Sequence, residues 1–249
     1  MTFWDHLEEL RGCLLRILIA VVACAVAAFC CKDLLFSIIL APKDGDFITY
    51  RLFERISDKL AISDIELVNI NLAQQFLIHM KVALWFGFLV VSPYVLYVLF
   101  HFVAPGLYTH ERRYAVGAVS SGYVMFILGV LLNYFVIFPL TFQFLGTYQV
   151  RGDVSNVISL ESYISMMLML CLVMGVVFEL PVVSWLLAKM GILHAEQMCK
   201  YRRHAVVVIL IVAAVITPTG DPFTLSLVAL PIYLLYELSI FVVRKTNKQ

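Results

Sequence analysis

The sequence predicts an all-α polytopic membrane protein, and three observations support that prediction. Apolar residues make up 62% of the 249 residues, where soluble domains have about 45–50%. Charged residues make up only 14%, where about 25% is usual. Six apolar stretches are long enough to be considered as membrane-spanning helices. A soluble fold of this length would lack the polar side chains to cover its surface, so we expect a single integral membrane domain over residues 1–249.

The six stretches give the predicted spans in chain order. They cover approximately residues 14–31, 75–99, 114–138, 161–188, 204–217 and 223–243. We expect the first to be a retained span and not a cleaved signal peptide, because Asp5, Glu8 and Glu9 precede it and its apolar run exceeds the usual length of about 7–15 residues. The third is expected to continue as helix beyond Pro139. The fifth has 14 residues and covers only about 21 Å, so it must thin the bilayer or pack against neighbouring helices.

Basic residues in the short loops predict the orientation. With both termini in the cytoplasm, the cytoplasmic segments hold eleven Lys and Arg residues and the outside segments hold six. The eleven are Arg11, Arg16, Arg112, Arg113, Lys189, Lys200, Arg202, Arg203, Arg244, Lys245 and Lys248. The largest outside segment, 41–74, is expected to form a small periplasmic cap that contains a short helix at 50–60 and an extended stretch at 65–70.

Motifs for catalysis, metal binding and nucleotide binding are missing from the sequence. The histidines include no HExxH, the cysteines include no CxxC, and neither a GxSxG elbow nor a P-loop run occurs. Asp221 has no second intramembrane aspartate with which to share a proton, as an aspartyl protease requires. The net charge of +1 gives no global field that favours nucleic acid. We therefore expect no enzymatic activity, no cofactor, no metal and no nucleic-acid partner.

Glu179 supports one function class, a proton-coupled small-solute transporter. It lies within the apolar run 176–181 of the fourth span, and an intramembrane carboxylate is a candidate functional site by default. Lys81 and Glu237 are further ionisable residues in or near spans, and each has an alternative role as a side chain that reaches the interface or a polar partner. We find no inverted repeat of the kind typical of transporters.

Glu9 and Glu111 support a second function class, a receptor for a charged peptide. Both lie in predicted cytoplasmic segments that are otherwise basic, Glu9 before the first span and Glu111 between the second and the third. Two carboxylates on a constrained surface suit a ligand with two guanidinium groups, because arginine binds carboxylate through a planar fork. The residues alone leave open that these carboxylates simply pair with neighbouring arginines on a solvated surface.

Five segments also carry a resemblance to a known family. They are HLEELR at 6–11; SP at 92–93 leading to FVAPGLYTHERR at 102–113; NYF at 133–135 leading to FPL at 138–140; FELP at 178–181; and TP at 217–218 with Asp221, LP at 230–231 and YE at 236–237. On these segments, which occur in order over nearly the whole chain, the sequence is similar to TatC, the multispanning receptor subunit of the twin-arginine protein translocase.

The resemblance implies a receptor that binds twin-arginine signal peptides of folded precursor proteins. Glu9 and Glu111 match the carboxylates that hold the paired arginines, and Phe102 matches an aromatic residue beside them. The implied signal-peptide-binding residues are Glu9, Arg11, Phe102, Pro105 and Glu111. Glu179 matches a buried acid of span four and Asp221 an acid of the outer loop between spans five and six, both implied to be intramembrane or partner-contact residues.

The resemblance further implies a curved, glove-like bundle in the cytoplasmic (inner) membrane, where a thinned bilayer lets the signal peptide insert. The implied partners are TatA- and TatB-type single-span subunits that dock near spans five and six, other copies of the chain, and membrane lipid. The implied driving force is the proton-motive force. Two departures from the family pattern are Cys13, where a second basic residue is frequent, and Leu225, where some members carry Gln.

The basic-residue asymmetry generates a prediction of topology. In a background without native thiols, single cysteines introduced at Asp46, Gly152 and Gly220 are expected to react with a membrane-impermeant maleimide added outside intact cells. Cysteines at Tyr108 and Asn247 are expected to react only after the membrane is opened. Labelling of position 108 from outside would reverse the orientation and move the peptide-binding segments to the wrong face.

Overall fold

The computed structural model describes residues 3–54, 66–103, 112–148, 156–217 and 220–247, and these residues are predominantly helical. The helices are α1 Phe3–Phe29, α2 Lys32–Leu40, α3 Ile48–Glu54, α4 Gln74–Val103, α5 Arg112–Leu132, α6 Phe138–Thr147, α7 Leu160–Val177, α8 Leu180–Lys189, α9 Ala195–Lys200, α10 Arg202–Ile216 and α11 Pro222–Thr246. A 3-10 turn, Ala41–Lys43, follows α2, and a π-helical turn, Asn133–Ile137, joins α5 to α6.

Five stretches of these helices are long and apolar enough to cross a membrane. They are Leu7–Phe29, Gln74–Phe100, Val119–Thr147, Leu160–Lys189 and Pro222–Thr246, and each coincides with a predicted span. The third runs through the π-helical turn into α6, which confirms that helix continues beyond Pro139. The remaining predicted span, 204–217, coincides with α10, whose 15 residues extend about 22 Å, less than the thickness of about 30 Å of a typical hydrocarbon core.

The chain divides into two compact units. The first comprises Met1–Leu35 and Phe76–Met125, and the second comprises Phe36–Gln75 and Phe126–Gln249. In the first unit, α1 packs antiparallel to α4. Val21 of α1 forms a buried cluster with Val91 and Val95 of α4, and at the other end of the pair the ring of Phe29 stacks on His79 with centroids 3.9 Å apart.

The second unit holds the π-helical turn in contact with α3. The Thr49 hydroxyl donates to the carbonyl oxygen of Phe135, and the Phe47 ring stacks on the Phe135 ring at 5.8 Å. The Tyr50 hydroxyl lies 3.0 Å from the carbonyl oxygen of Pro42 and 3.1 Å from that of Pro139. Burial raises the pKa of Tyr50 well above its ordinary value, so this phenol stays neutral and keeps its proton for donation. Since a π-helical insertion disturbs the regular helical hydrogen bonds, α3 supplies partners where the helix leaves carbonyls free.

The described part of the predicted cap segment differs in detail from the sequence prediction. The short helix begins at Ile48, two residues before the predicted start at 50, and is assigned through Glu54; residues 55–65 lie outside the described residues. Within the extended stretch predicted at 65–70, Leu67–Val68 form the strand β1, which pairs in parallel with β2, Ile158–Ser159. The pairing was not predicted, because 91 positions separate Leu67 from its partner Ile158. The fold is thus mostly helical and contains this two-residue β ladder.

Gly87 marks the closest approach of α1 and α4 and generates a stability prediction. A Cβ atom at Gly87 would lie 2.7 Å from the backbone nitrogen of Ala25 and 2.9 Å from the carbonyl oxygen of Val21. Gly87→Ala must therefore push the two helices apart, and we expect a loss of about 1–3 kcal/mol in unfolding free energy. Gly117→Ala is the matched control, because nothing lies within 4 Å of its added Cβ and a helical Ala gains up to about 1 kcal/mol over Gly.

Thermal unfolding of the detergent-solubilised protein measures both variants. We expect the Gly87→Ala midpoint to fall by several degrees and the Gly117→Ala midpoint to stay level or to rise. Equal midpoints for the two variants would contradict the close contact of α1 with α4.

Candidate functional site

The packing of α1 on α4 determines where Glu9 and Phe102 lie. Phe29 is level with His79, and Val21 is level with residues 91–95 of α4. Glu9 lies in the first half of α1 and Phe102 in the last turn of α4, and an antiparallel pair carries these two positions toward the same end. The two predicted site residues thus share one end of the helix pair, and both are half-buried.

The acidic neighbours Glu8 and Glu9 differ in environment. Glu8 is exposed and Glu9 is half-buried, as expected because adjacent helical residues point about 100° apart. Arg11 and Arg16 are exposed, and within the described helix α1 neither of them forms an ion pair with Glu9. The carboxylate of Glu9 is therefore not engaged by its helical neighbours, and this arrangement disfavours the simple surface-pairing alternative for this residue.

Pro105 and Glu111 lie outside the described residues. Helix α4 ends at Val103 and α5 begins at Arg112, so both residues belong to the chain segment between these two helices. The structure thus places Glu9, Arg11 and Phe102 of the predicted signal-peptide site and gives no position for the other two.

Glu179 lies at the interruption of the fourth span. Helix α7 ends at Val177 and α8 starts at Leu180, because Pro181 has no backbone N–H to continue the helical pattern and its ring clashes with the preceding turn. Only 9% of Glu179 is exposed. Among the described residues, no hydrogen-bond donor and no cation reaches either of its carboxylate oxygens. A buried polar group without a partner is costly in a region without water.

The residue before Glu179, Phe178, packs tightly on one side and lines a groove on another. A Cβ added at Gly129 of α5 would meet the backbone of Met174 and the ring of Phe178, so α5 crosses α7 immediately before the break. Phe178 also lines a groove of about 380 Å³. The remaining lining residues are Leu132, Val136, Ile137, Leu140, Leu227, Leu230, Pro231, Leu234, Leu235 and Leu238. The groove is thus apolar, and Glu179 follows one of its lining residues in the chain without lining the groove itself.

Asp221 has an evident structural role. It is the N-cap of α11, and its Oδ1 accepts a hydrogen bond of 2.7 Å from the backbone N–H of Thr224. A short acidic side chain at this position satisfies a free N–H at the helix start and interacts favourably with the helix dipole. The cap by itself accounts for an acid at this position, so a contact with another subunit remains a prediction.

The two departures from the family pattern lie in different surroundings. Cys13 is a buried free thiol in α1, a position at which a basic side chain would have to be desolvated. Leu225 is half-buried in the first turn of α11.

An ion pair between α10 and α11 was missed by sequence reasoning. Arg202 Nη2 lies 2.7 Å from Glu237 Oε2, and the Tyr233 hydroxyl lies 3.3 Å from Glu237 Oε1. Glu237 was recognised as an ionisable residue in or near a span, but its partner is 35 positions away and belongs to a basic segment that the sequence gives no reason to bury. The available signal was the position of Arg202 next to the short apolar stretch 204–217.

The described residues define a multi-pass helical membrane protein with a half-buried carboxylate at one end of a helix pair and an unpartnered carboxylate within a span. The chain matches the family model of the Sec-independent protein translocase protein (TatC) over residues 5–231. A TatC protein from Blattabacterium sp. subsp. Periplaneta americana is 33% identical over 252 residues, which cover 97% of this chain and 94% of the relative. A TatC protein from Carboxydothermus hydrogenoformans is 33% identical over 245 residues, 98% of this chain and 93% of the relative.

A solved structure agrees with the sequence match. The crystal structure of a twin arginine translocase receptor, TatC, aligns with a TM-score of 0.78 at 31% identity and covers 98% of this chain and 100% of that chain. The chain belongs to the TatC family, and it is a component of a Sec-independent protein translocase.

The unpartnered acid at position 179 generates a prediction in which stability and activity move in opposite directions. Glu179→Leu removes a buried polar group that lacks hydrogen bonds, so we expect unfolding to become harder by about 1–3 kcal/mol. We expect export of a reporter protein with a twin-arginine signal peptide to fall in the same variant.

Glu179→Gln is the matched variant, because it keeps the shape and a polar group without the ability to ionise. We expect it to retain much of the export activity. Thermal unfolding and export are measured on the same preparations and strains. Full export by Glu179→Leu would leave this acid without a functional role.

Proposed function

We propose that this chain is the receptor and core subunit of a twin-arginine translocase that binds the signal peptides of folded precursor proteins. The observation that carries the proposal is the half-buried Glu9 on α1, which packs against α4, the helix that contains Phe102, in a chain of the TatC family. Together with TatA- and TatB-type subunits, the chain exports these precursors across the cytoplasmic membrane, driven by the proton-motive force.

The chemistry of the site suits paired arginines. A guanidinium group offers two parallel N–H donors to a carboxylate, which a lysine ammonium cannot do. Glu9 and Glu111 each supply a carboxylate, and Phe102 supplies an aromatic face on which a guanidinium or an apolar side chain of the peptide packs. Arg11 and Pro105 belong to the same two segments of the sequence. Because α1 leaves Glu9 half-exposed, the site is wet and each contact is individually weak.

The proposed architecture is one integral membrane domain over residues 1–249 with six spans and both termini in the cytoplasm. Five spans correspond to the long apolar helices, and α10 serves as the sixth, short span. The excess of basic residues in the segments assigned to the cytoplasm supports this orientation. The described helix α3 and the β1–β2 pair belong to the periplasmic cap in this arrangement.

Glu179 and Asp221 are proposed to act inside the membrane and at partner contacts. The apolar groove lined by Phe178 and the buried, unpartnered acid that follows Phe178 in the chain support this role, because a small rearrangement of the break would bring a polar group of a partner to Glu179. Membership in the TatC family favours this role over a proton-coupled solute transporter centred on the same residue.

Glu9→Gln and Glu111→Gln test the receptor proposal, because each removes a charge and keeps the side-chain shape. A charge-assisted hydrogen bond contributes about 1.5–3 kcal/mol, reduced toward about 0–1 kcal/mol at a wet site. We therefore expect a loss in precursor affinity between a few-fold and about a hundredfold for each variant. Glu8→Gln is the matched control, since the neighbouring side chain is exposed and is expected to change the affinity little.

The measurement is binding of the detergent-solubilised protein to signal peptides that carry Arg-Arg, Lys-Lys or Gln-Gln. We expect the order Arg-Arg, then Lys-Lys, then Gln-Gln in the unaltered protein, and a collapse of the differences in the Glu9→Gln, Glu111→Gln double variant. If the preference for Arg-Arg persists unchanged in the double variant, the paired arginines are held elsewhere.

A further inference from the structure

Two adjacent residues of α11 hold the corner at which α9 meets α10. The Tyr236 hydroxyl donates a hydrogen bond of 2.9 Å to the carbonyl oxygen of Met198, in the last turn of α9. Its neighbour Glu237 accepts a hydrogen bond of 2.7 Å from Arg202, the first residue of α10. The corner, residues 198–202, is therefore hydrogen-bonded to α11 at both ends. We name Tyr236, Glu237 and Tyr233, whose hydroxyl contacts the Glu237 carboxylate, the α11 clamp.

Helix α10 needs such a constraint because its own packing holds only one end. Its buried residues are Ile209, Ala213 and Ile216, all in its second half. Residues 202–208 are all described and none of them is buried. At 15 residues the helix is also too short to be positioned by the bilayer on both sides. The contacts of the clamp therefore decide where the first two turns of α10 lie against α11.

The clamp is sensitive to the loss of a single partner. Both carboxylate oxygens of Glu237 are occupied, Oε2 by Arg202 and Oε1 by the Tyr233 hydroxyl. The side chains are 30% exposed for Glu237 and 49% for Arg202, and Glu237 lies within a candidate membrane span. Removal of one charge leaves the other without its partner at the edge of a low-dielectric region, which costs more than removal of both.

We propose that Tyr236 and Glu237 are positioning residues that fix the first half of α10 in the arrangement that translocation requires. The inference rests on the proposed translocase function, since it assigns these residues a role in transport and none in holding the signal peptide. The exposed side of α10 is apolar and rich in β-branched residues, and a partner helix that packs on that side needs a fixed orientation of α10. The clamp supplies the orientation without contacting the partner.

A native cysteine reports directly on the corner. Cys199 lies between Met198 and Lys200 as a half-buried free thiol, so its rate of maleimide labelling follows local opening of the corner. The experiment uses the full chain with the other five cysteines replaced by alanine. Three quantities are measured in each variant: the rate of Cys199 labelling, signal-peptide binding, and export of a twin-arginine reporter in membranes that contain the partner subunits.

The variants distinguish the effect of losing the Arg202–Glu237 ion pair from the effect of losing a charge elsewhere in this segment. We expect Glu237→Gln and Arg202→Gln each to speed labelling about five- to tenfold and to reduce export. We expect the Arg202→Gln, Glu237→Gln double variant to show smaller changes in labelling and export than either single variant. We expect the exchanged pair, Arg202→Glu with Glu237→Arg, to show labelling and export within about twofold of the parent. Arg203→Gln is the matched control, because Arg203 is exposed beside Arg202.

Tyr236→Phe tests the second contact of the clamp. It removes the hydroxyl that reaches the Met198 carbonyl oxygen and leaves the ring in place, so we expect faster Cys199 labelling with reduced export. Signal-peptide binding is expected to stay at the parent value in every variant of the clamp.

The outcomes are distinguishable. Labelling and export at the level of Arg203→Gln in both single charge variants would overturn the proposal. Faster labelling with unchanged export would mean that the clamp only stabilises the corner, and would overturn its role in positioning α10 for translocation. Failure of the exchanged pair to restore export, in a protein that still binds peptide, would overturn that role as well. Failure of the parent to bind twin-arginine peptides would count against the receptor function instead, while Cys199 labelling would still report on the clamp.

Discussion

The structure depends on one constraint, the need to satisfy every polar group inside a region without water. Backbone groups in a bilayer find their partners within helices, and wherever the helical pattern is interrupted a side chain must replace the missing partner. The π-helical turn shows this, because its Phe135 carbonyl oxygen accepts a hydrogen bond from the Thr49 hydroxyl. Tyr163 of α7 does the same for α2 by donating to the carbonyl oxygen of Ile39 at 3.0 Å. Irregular backbone in this protein is thus tied to particular hydroxyl groups.

The same constraint explains which parts of the structure could be predicted from the sequence. Spans follow from apolar composition, which is a local property, so all five long apolar helices coincide with predicted stretches. Helix α2 was not predicted as a separate element, because Lys32 and Asp33 suggested the end of a span and not the start of a new helix. The β1–β2 pair and the partner of Glu237 could not be predicted, because each joins residues far apart in the chain.

Prediction of the site was limited in a similar way. The distinction between Glu8 and Glu9 followed from helix geometry, and the exposed and half-buried positions of the two side chains agree with it. The acid of the fourth span was identified from its apolar neighbours, but its lack of a partner among the described residues could be learned only from the packing. The capping role of Asp221 became visible only with the hydrogen bond to the Thr224 N–H, although an acid directly before Pro222 is a typical helix start.

Three glutamates show how environment assigns different roles to one side chain. Glu9 is half-exposed and its neighbouring arginines leave it unengaged, so its carboxyl group is accessible to a ligand that brings its own cations. Glu237 has a partner on each carboxylate oxygen, so its charge is used within the chain and binding a further cation would require breaking an existing contact. Glu179 has neither water nor a partner among the described residues, so it carries the cost of burial continuously. A protein retains such a cost where activity requires it, which is why an intramembrane contact is proposed for Glu179. The roles proposed for the three acids, in recognition, positioning and intramembrane contact, thus follow from what surrounds each carboxylate.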